Sequence, residues 1–232
     1  MNNKEERTIS VRGNGRVDVP PDSIIISIRV ETDYKEYDKA MLLASNKIER
    51  LNQKFAEAGF NINDLKTKRF SINTKYIDDL RLRSDNTVKS KVLENYTCRH
   101  DLKIQFDFDT ARLSKAIEVI TGYDPDPKFS INFTVKDIET VKDEILKKAT
   151  ADAKRKAEVI CNASGVTLGE LIGIDCSWHY ENFAPALHIS FEDDNFPRLL
   201  SGGLEYRPEL WEHFFPDDFS AYESVDFTWK IC

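Results

Sequence analysis

One segment limits the fold more than any other: a long helical pattern that runs directly into a short apolar strand. Apolar and small residues recur at every third or fourth position over residues 138–164, which places them on one face of a helix. The members of this face are Ile138, Val141, Ile145, Ala149, Ala153, Ala157, Ile160 and Ser164. Because the face narrows to three alanines, we expect the helix to lie close against a sheet.

The remaining positions of this helix are rich in charge, and acids precede bases by four residues, which is the favourable order. Three such pairs are Asp143/Lys147, Glu144/Lys148 and Asp152/Lys156. We therefore expect a charged face turned to solvent, opposite the sheet. Gly165 stands where a left-handed residue ends a helix, and residues 168–176 follow as an apolar strand.

Four blocks of residues, which together span nearly the whole chain, carry a family pattern. Two of them are Ala149-x-x-Asp152-Ala153-x-x-Lys156-Ala157-x-x-Ile160 with Gly165-Val166-x-Leu168-Gly169-x-x-x-x-Ile174, and Ile9-Ser10-Val11-Arg12-Gly13-Asn14-Gly15 with Val19-Pro20-Pro21-Asp22. The others are Asn46, Leu51 and Gly59 with Leu65-x-Thr67-x-x-Phe70-Ser71-Ile72-x-x-x-Tyr76, and Ser224-Val225-x-Phe227-Thr228-x-x-Ile231. These blocks resemble the SIMPL domain family, which is related to periplasmic immunogenic and oxidative-stress-defence proteins.

The resemblance implies a fold and a habit of self-assembly, but it implies no catalytic residues. Exported relatives form large oligomers and have been linked to stress tolerance, and a mammalian relative is a kinase-associated adaptor.

The order of the elements predicts an α+β fold, not the strict alternation of a doubly wound sheet. We expect β-β-α-β-β-α-β-α-β, then an irregular insertion over 183–220 and a final strand, with about three helices packed on a predominantly antiparallel sheet. The long helix is expected to pack on the strands near 102–108 and 129–135. The polar stretch 78–95 predicts a solvated hairpin connection, and residues 1–232 are expected to form one domain.

The tripeptide Gly13-Asn14-Gly15 raises the question of a nucleotide-binding loop. A dinucleotide fingerprint needs a third glycine at position 18 and a helix directly after it. Position 18 is Asp18, and Pro20-Pro21 precede another strand. We therefore interpret the glycines as a bulge or a tight bend in a strand.

The charge of the chain is unevenly distributed and argues against nucleic acid as a partner. The net charge is −7, but between positions 192 and 226 ten acids face only two arginines, a balance of −8, so the rest of the chain is near +1. The basic stripe that neutralises phosphates is missing.

No apolar run approaches the roughly 18–20 residues that a membrane-spanning helix requires. The polar, acidic start predicts a cytoplasmic protein, or a periplasmic one if a leader has been removed.

The sequence lacks the common catalytic and cofactor-binding motifs. No phosphate-binding loop, zinc-protease helix or serine elbow is present, and the four cysteines are isolated, which is typical of structural thiols. We expect no enzyme activity, no cofactor and no metal. Two alternatives stay open: a metal-assisted hydrolase or a small-ligand carrier with an aromatic pocket. The hydrolase would use His179, His188, Glu192, Asp193, Asp194 and His213, and the pocket would lie under Trp178, Trp211 and Phe214–Phe215.

The favoured function is a non-enzymatic scaffold or protein-interaction module that forms homo-oligomers. Odd-numbered residues give the terminal strand, residues 222–231, an apolar face, and the insertion adds further aromatic residues. Large exposed apolar patches usually mark interfaces. The predicted interface residues are Trp211, Phe214, Phe215, Val225, Phe227 and Trp229.

Overall fold

The structure is a computed structural model, which describes residues 7–61, 63–83, 86–124, 127–176, 187–191 and 215–232. Its elements follow the predicted α+β order, and the prediction is confirmed. In chain order they are β1 (Thr8–Val19), β2 (Ser23–Tyr34), α1 (Tyr37–Glu57), β3 (Lys66–Arg83), β4 (Asn86–Asp107), α2 (Thr110–Tyr123), β5 (Lys128–Thr134), α3 (Ile138–Ala163), β6 (Leu168–Asp175), β7 (Leu187–Ser190) and β8 (Phe219–Ile231). The short strand β7 lies within the predicted irregular insertion, most of which is outside the described residues.

The chain forms two compact units, and each is assembled from separate stretches of sequence. The first contains Met1–Asp22, Phe133–Leu187 and Pro216–Cys232, and the second contains Ser23–Asn132 and His188–Phe215. The prediction of one domain over 1–232 stays a prediction. No helix in the described part of the chain is long and apolar enough to cross a membrane.

The first unit is a three-stranded antiparallel sheet in the order β1-β8-β6, covered by α3. Strands β1 and β8 pair without a register shift from Thr8↔Lys230 to Val19↔Phe219. The bulge or bend predicted at Gly13-Asn14-Gly15 is therefore wrong. The two glycines instead allow a close approach: a Cβ at Gly13 would overlap the carbonyl oxygen of Ala149, and one at Gly15 would overlap that of Ile145.

The packing partner predicted for the long helix is also wrong. Helix α3 packs on β1 and β8, whereas the strands near 102–108 and 129–135, β4 and β5, belong to the five-stranded sheet. The glycines of β1 explain the choice, because they let the helix backbone come close to the strand. The aromatic face of β8 then fills the remaining space below the alanines.

The buried face of α3 follows the predicted pattern until its last turns. Its fully covered residues are Val141, Ile145, Ala149, Ala153, Ala157 and Cys161. Ile160, which we expected on this face, is 47% exposed, and Cys161 takes its place. A four-residue step turns about 40° beyond one full helical turn, so a face built from such steps rotates around the helix. By the last turn of the helix, the buried face includes position 161 and no longer position 160.

The second unit contains a five-stranded sheet in the order β3-β4-β2-β5-β7. Strand β2 pairs antiparallel with β4 from Ser23↔Asp107 to Tyr34↔Tyr96. Alternate residues of β2 are buried, including Ile24 and Ile26, while α1 packs on β2 and β4 and α2 packs on α1. The side chain of Asp109 caps α2 by accepting a hydrogen bond from the Arg112 amide.

The close contact between α3 and β1 predicts opposite effects of two glycine-to-alanine changes. Gly13→Ala should lower the free energy of unfolding by about 1–3 kcal/mol, because the new methyl group overlaps the helix backbone and lies 2.7 Å from Cβ of Ala153. Gly122→Ala is the matched control, since it lies in α2 with nothing within 4 Å of the new Cβ. The control should be neutral or stabilising by up to about 1 kcal/mol. Urea denaturation followed by circular dichroism measures both, and equal stability of the two variants would contradict the close contact.

Candidate functional site

Half of the predicted interface lies in the interior of the first unit. Val225, Phe227 and Trp229 are 2%, 3% and 7% exposed, and they pack with Val11 and Ala153 beneath α3. The alternation predicted for this strand is present, but a helix of the same chain covers its apolar face. These three residues are therefore unavailable for a surface contact, and that part of the interface prediction is wrong.

The other half of the predicted interface consists of Trp211, Phe214 and Phe215. Trp211 and Phe214 lie outside the described residues, as does Trp178 of the predicted aromatic pocket. Phe215 is 80% exposed.

The predicted metal ligands are likewise only partly described. Nδ1 of His188 lies 2.6 Å from Oδ1 of Asn132, so this imidazole has a polar partner within the second unit. Within the described ranges no three His, Cys, Asp or Glu side chains are grouped so that they could hold a metal ion. The other proposed ligands, His179, Glu192, Asp193, Asp194 and His213, lie outside the described residues.

Three side chains of α3 bind the backbone of the edge strand β1. Lys148 donates to the carbonyl of Arg16 at 3.0 Å, and Lys156 donates to the carbonyl of Arg12 at 3.1 Å. Between them the Asn14 amide donates to Asp152 at 3.0 Å. We call these three side chains the edge clasp.

The spacing of the edge clasp follows from helix and strand geometry. Four helical residues advance about 6 Å and two strand residues advance about 6.6 Å, so the contacts stay in step along the pair. Part of the charged face, which we expected to point to solvent, instead satisfies the free edge of a sheet. Of the i,i+4 pairs predicted there, Asp152–Lys156 is present at 2.6 Å, while Lys147 pairs with Glu144 at i,i+3.

Asp152 is the electrostatic centre of the edge clasp. It is paired with Lys156 and accepts from the Asn14 amide and from Arg155. These contacts favour the ionised carboxylate and hold the pKa of Asp152 far below its ordinary value, with Lys156 contributing most. Every polar contact of this group is made within the first unit. The arrangement joins a helix to a strand and has the chemistry of a structural link.

The second unit carries a two-stranded arm that the sequence interpretation missed. Strand β2 pairs with β4 only as far as Tyr96, whereas β3 and β4 stay paired to Arg83↔Asn86. We call residues 75–95, where β3 and β4 pair with each other and β2 no longer pairs with β4, the arm. A register shift at its base leaves Glu94 extra on β4, where it forms an ion pair with Lys75 at 2.9 Å. The hairpin predicted over 78–95 is present, but its two sides are paired strands and not an irregular connection. The alternation of Leu80 and Leu82 with charged residues was the missed strand signal.

Both faces of the arm present apolar side chains. Tyr76 lies opposite Leu93, and Ile77 lies opposite Val92, so the two pairs are on opposite faces. Their exposed fractions are 54%, 37%, 48% and 43% respectively. A two-stranded ribbon is marginally stable by itself in water. The exposed pairs make the arm the candidate contact surface of the second unit.

Comparison with known proteins gives a family match without an assigned activity. Residues 9–193 match the model of the SIMPL family, described as a protein of unknown function (DUF541). The 26 kDa periplasmic immunogenic protein of Brucella melitensis biotype 1 is 24% identical over 168 residues, which are 72% of this chain. The protein of the same name from Brucella abortus strain S19 matches equally. The match spans 65% of the length of each relative.

The edge clasp predicts a specific pH dependence. Asp152→Asn keeps an acceptor for the Asn14 amide but removes the charge. Because the folded-state pKa is lowered, the carboxylate stabilises the fold above the unfolded-state pKa of about 3.9, and this contribution is lost as the pH falls toward the folded-state value. Urea denaturation should show the variant less stable by about 1–2 kcal/mol at pH 7.

The difference between the two proteins should shrink as the pH is lowered below about 4. Asp143→Asn, an exposed acid on the same helix, serves as the control for removal of one negative charge. A pH-independent difference for Asp152→Asn would contradict the electrostatic role.

Proposed function

Since the chain belongs to the SIMPL family, for which no activity is described, we propose that it is a non-enzymatic scaffold that assembles with copies of itself. The observation that supports this proposal is the arm, with an apolar pair on each face. Half-exposed apolar pairs on a ribbon of two strands gain stability when a neighbouring chain covers them.

The two-sided character of the arm bears on the kind of assembly. An apolar pair on one face alone would be covered by a single partner surface. Pairs on both faces, Tyr76/Leu93 and Ile77/Val92, call for a neighbour on each side or for insertion between two partner surfaces. Closed symmetric assemblies are the common outcome for homo-oligomers. We therefore propose a dimer of exchanged arms or a larger ring.

The place of action is part of the same proposal. The Brucella relatives carry the word periplasmic in their names. This favours an extracytoplasmic place of action over the cytoplasmic one that the acidic start of the sequence predicted.

A groove in the second unit favours small-ligand carriage as a second candidate function. It lies between α1 and strands β3 and β4, has a volume of about 540 Å³ and is lined by residues that include Asn52, Phe70 and His100. Oδ1 of Asn52 and Nδ1 of His100 are buried and have no hydrogen-bond partner among the described residues. Burial lowers the pKa of His100, which favours the neutral imidazole. Native mass spectrometry of untagged protein would report a retained small molecule together with the assembly state.

Elemental analysis separates the scaffold from the metal-assisted hydrolase. We expect no stoichiometric transition metal in the purified protein. One zinc or iron per chain, lost in His179→Ala or His213→Ala, would overturn the scaffold proposal in favour of a metal site.

Sedimentation velocity at micromolar concentration tests self-assembly. We expect a species larger than the 26.8 kDa chain, and a single monomeric species would refute the proposal. The double variants Tyr76→Ser/Leu93→Ser and Ile77→Ser/Val92→Ser each remove one apolar face of the arm. Each should weaken association by about tenfold or more, since covering a half-exposed apolar side chain contributes about 1 kcal/mol.

The control for these variants is Val159→Ser/Ile160→Ser, which removes two exposed apolar side chains from α3. Circular dichroism should show that all variants retain the fold. If the arm variants associate as tightly as the control, the assembly does not use the arm.

A further inference from the structure

Two strands that border the sheets differ sharply in charge. The part of β3 from Lys66 to Ile77 contains four basic residues and no acid, whereas β6 contains the acids Glu170 and Asp175 and no base. Each strand borders its sheet among the described residues: β3 ends the order β3-β4-β2-β5-β7, and β6 ends the order β1-β8-β6. The chain therefore has one basic and one acidic edge. On the acidic edge, Glu170 is largely exposed and lies 3.8 Å from Nζ of Lys230.

The acidic edge is also apolar and accessible. Leu171, Ile172 and Ile174 on β6 are 42%, 45% and 61% exposed. The opposite edge of the same sheet, β1, has its outward backbone groups bound by the edge clasp. In the described part of the chain no side chain of a helix binds the outward backbone groups of β6. An exposed apolar edge strand with unpaired backbone groups can pair with another strand.

The basic edge has the complementary properties. Nearly every residue of β3 from Lys66 to Ile77 is exposed or half-buried. Lys66, Lys68 and Arg69 have no ion-pair partner among the described residues, while Lys75 is paired with Glu94. Phe70 is 41% exposed and offers an apolar contact beside these charges. This edge continues directly into the arm.

We propose that β6 of one copy pairs with β3 of a second copy, so that the acidic edge meets the basic edge. This inference rests on the proposed self-assembly and adds a second contact to that of the arm. Two β6 edges would bring acid against acid, and two β3 edges would bring base against base, so the charges disfavour both symmetric pairings. Contact between two different edges is head-to-tail, and repetition of such a contact closes into a ring when the rotation permits.

Charge reversal tests the contact through a pattern that a general loss of folding cannot imitate. Glu170→Lys/Asp175→Lys makes both edges basic. Lys66→Glu/Lys68→Glu/Arg69→Glu makes both edges acidic, because Lys75, which is paired with Glu94, is then the one base left over residues 66–77. Each of these two variants alone should associate about tenfold more weakly than the parent at low salt. The loss of association should be smaller in about 0.5 M salt, because surface charges are screened.

Two rescues follow from the same contact. An equimolar mixture of the two variants should assemble again, since each edge then finds an edge of opposite charge. A single chain with all five changes should also assemble. The double variant Val159→Lys/Ile160→Lys, at two exposed positions of α3, serves as the control for added positive charge and should leave association unchanged.

Sedimentation velocity of these proteins distinguishes the two levels of the proposal. If the parent assembles but neither reversal weakens it, or if neither rescue restores it, pairing of β6 with β3 is wrong while self-assembly stands. If the parent is a monomer at micromolar concentration, the proposed function fails and the edge contact fails with it.

Discussion

The first unit depends on the very short distance between α3 and β1. Gly13 and Gly15 remove the side chains that would hold the helix away, and Ala149 and Ala153 present only methyl groups from the other side. The same closeness explains Asp152. A carboxylate one carbon from the Cβ has a short reach, and it meets the Asn14 amide because the two backbones are near each other. Glycines, alanines and Asp152 are thus parts of one arrangement.

The edge strands of the two sheets differ in whether side chains of the same chain bind their outward backbone groups. Strand β1 is bound by Lys148, Asp152 and Lys156, so its outward backbone groups are satisfied within the chain. Strands β3 and β6 border their sheets without such cover among the described residues. Open sheet edges pair readily with other strands, so proteins usually block them or use them. The contrast within one molecule is the physical basis for placing contacts at β3 and β6.

Local periodicity predicted the elements well, but it did not predict their partners. The face of α3 was recognised through Ala157, and the odd-numbered face of β8 is apolar as expected. An apolar face has the same sequence pattern whether a helix of the same chain or a second chain covers it. This is why the sequence pattern predicts an interface at Val225, Phe227 and Trp229, which the structure places in the interior. Helix α3 covers them because β1, on which it also packs, pairs with β8 far away in the sequence. A short stretch of sequence does not contain this long-range pairing.

The position of β8 has a consequence for the order in which the chain acquires structure. The central strand of the first sheet is Phe219–Ile231, and its neighbours β1 and β6 pair with it and not with each other. During synthesis, Thr8–Val19 must wait until all the residues up to Phe219–Ile231 have been made before its pairing partner exists. Ser23–Asn132 is contiguous and can gain its sheet and helices first. Until β8 has been synthesised, the nascent protein exposes a glycine-bearing strand and an alanine-faced helix that have no sheet to complete.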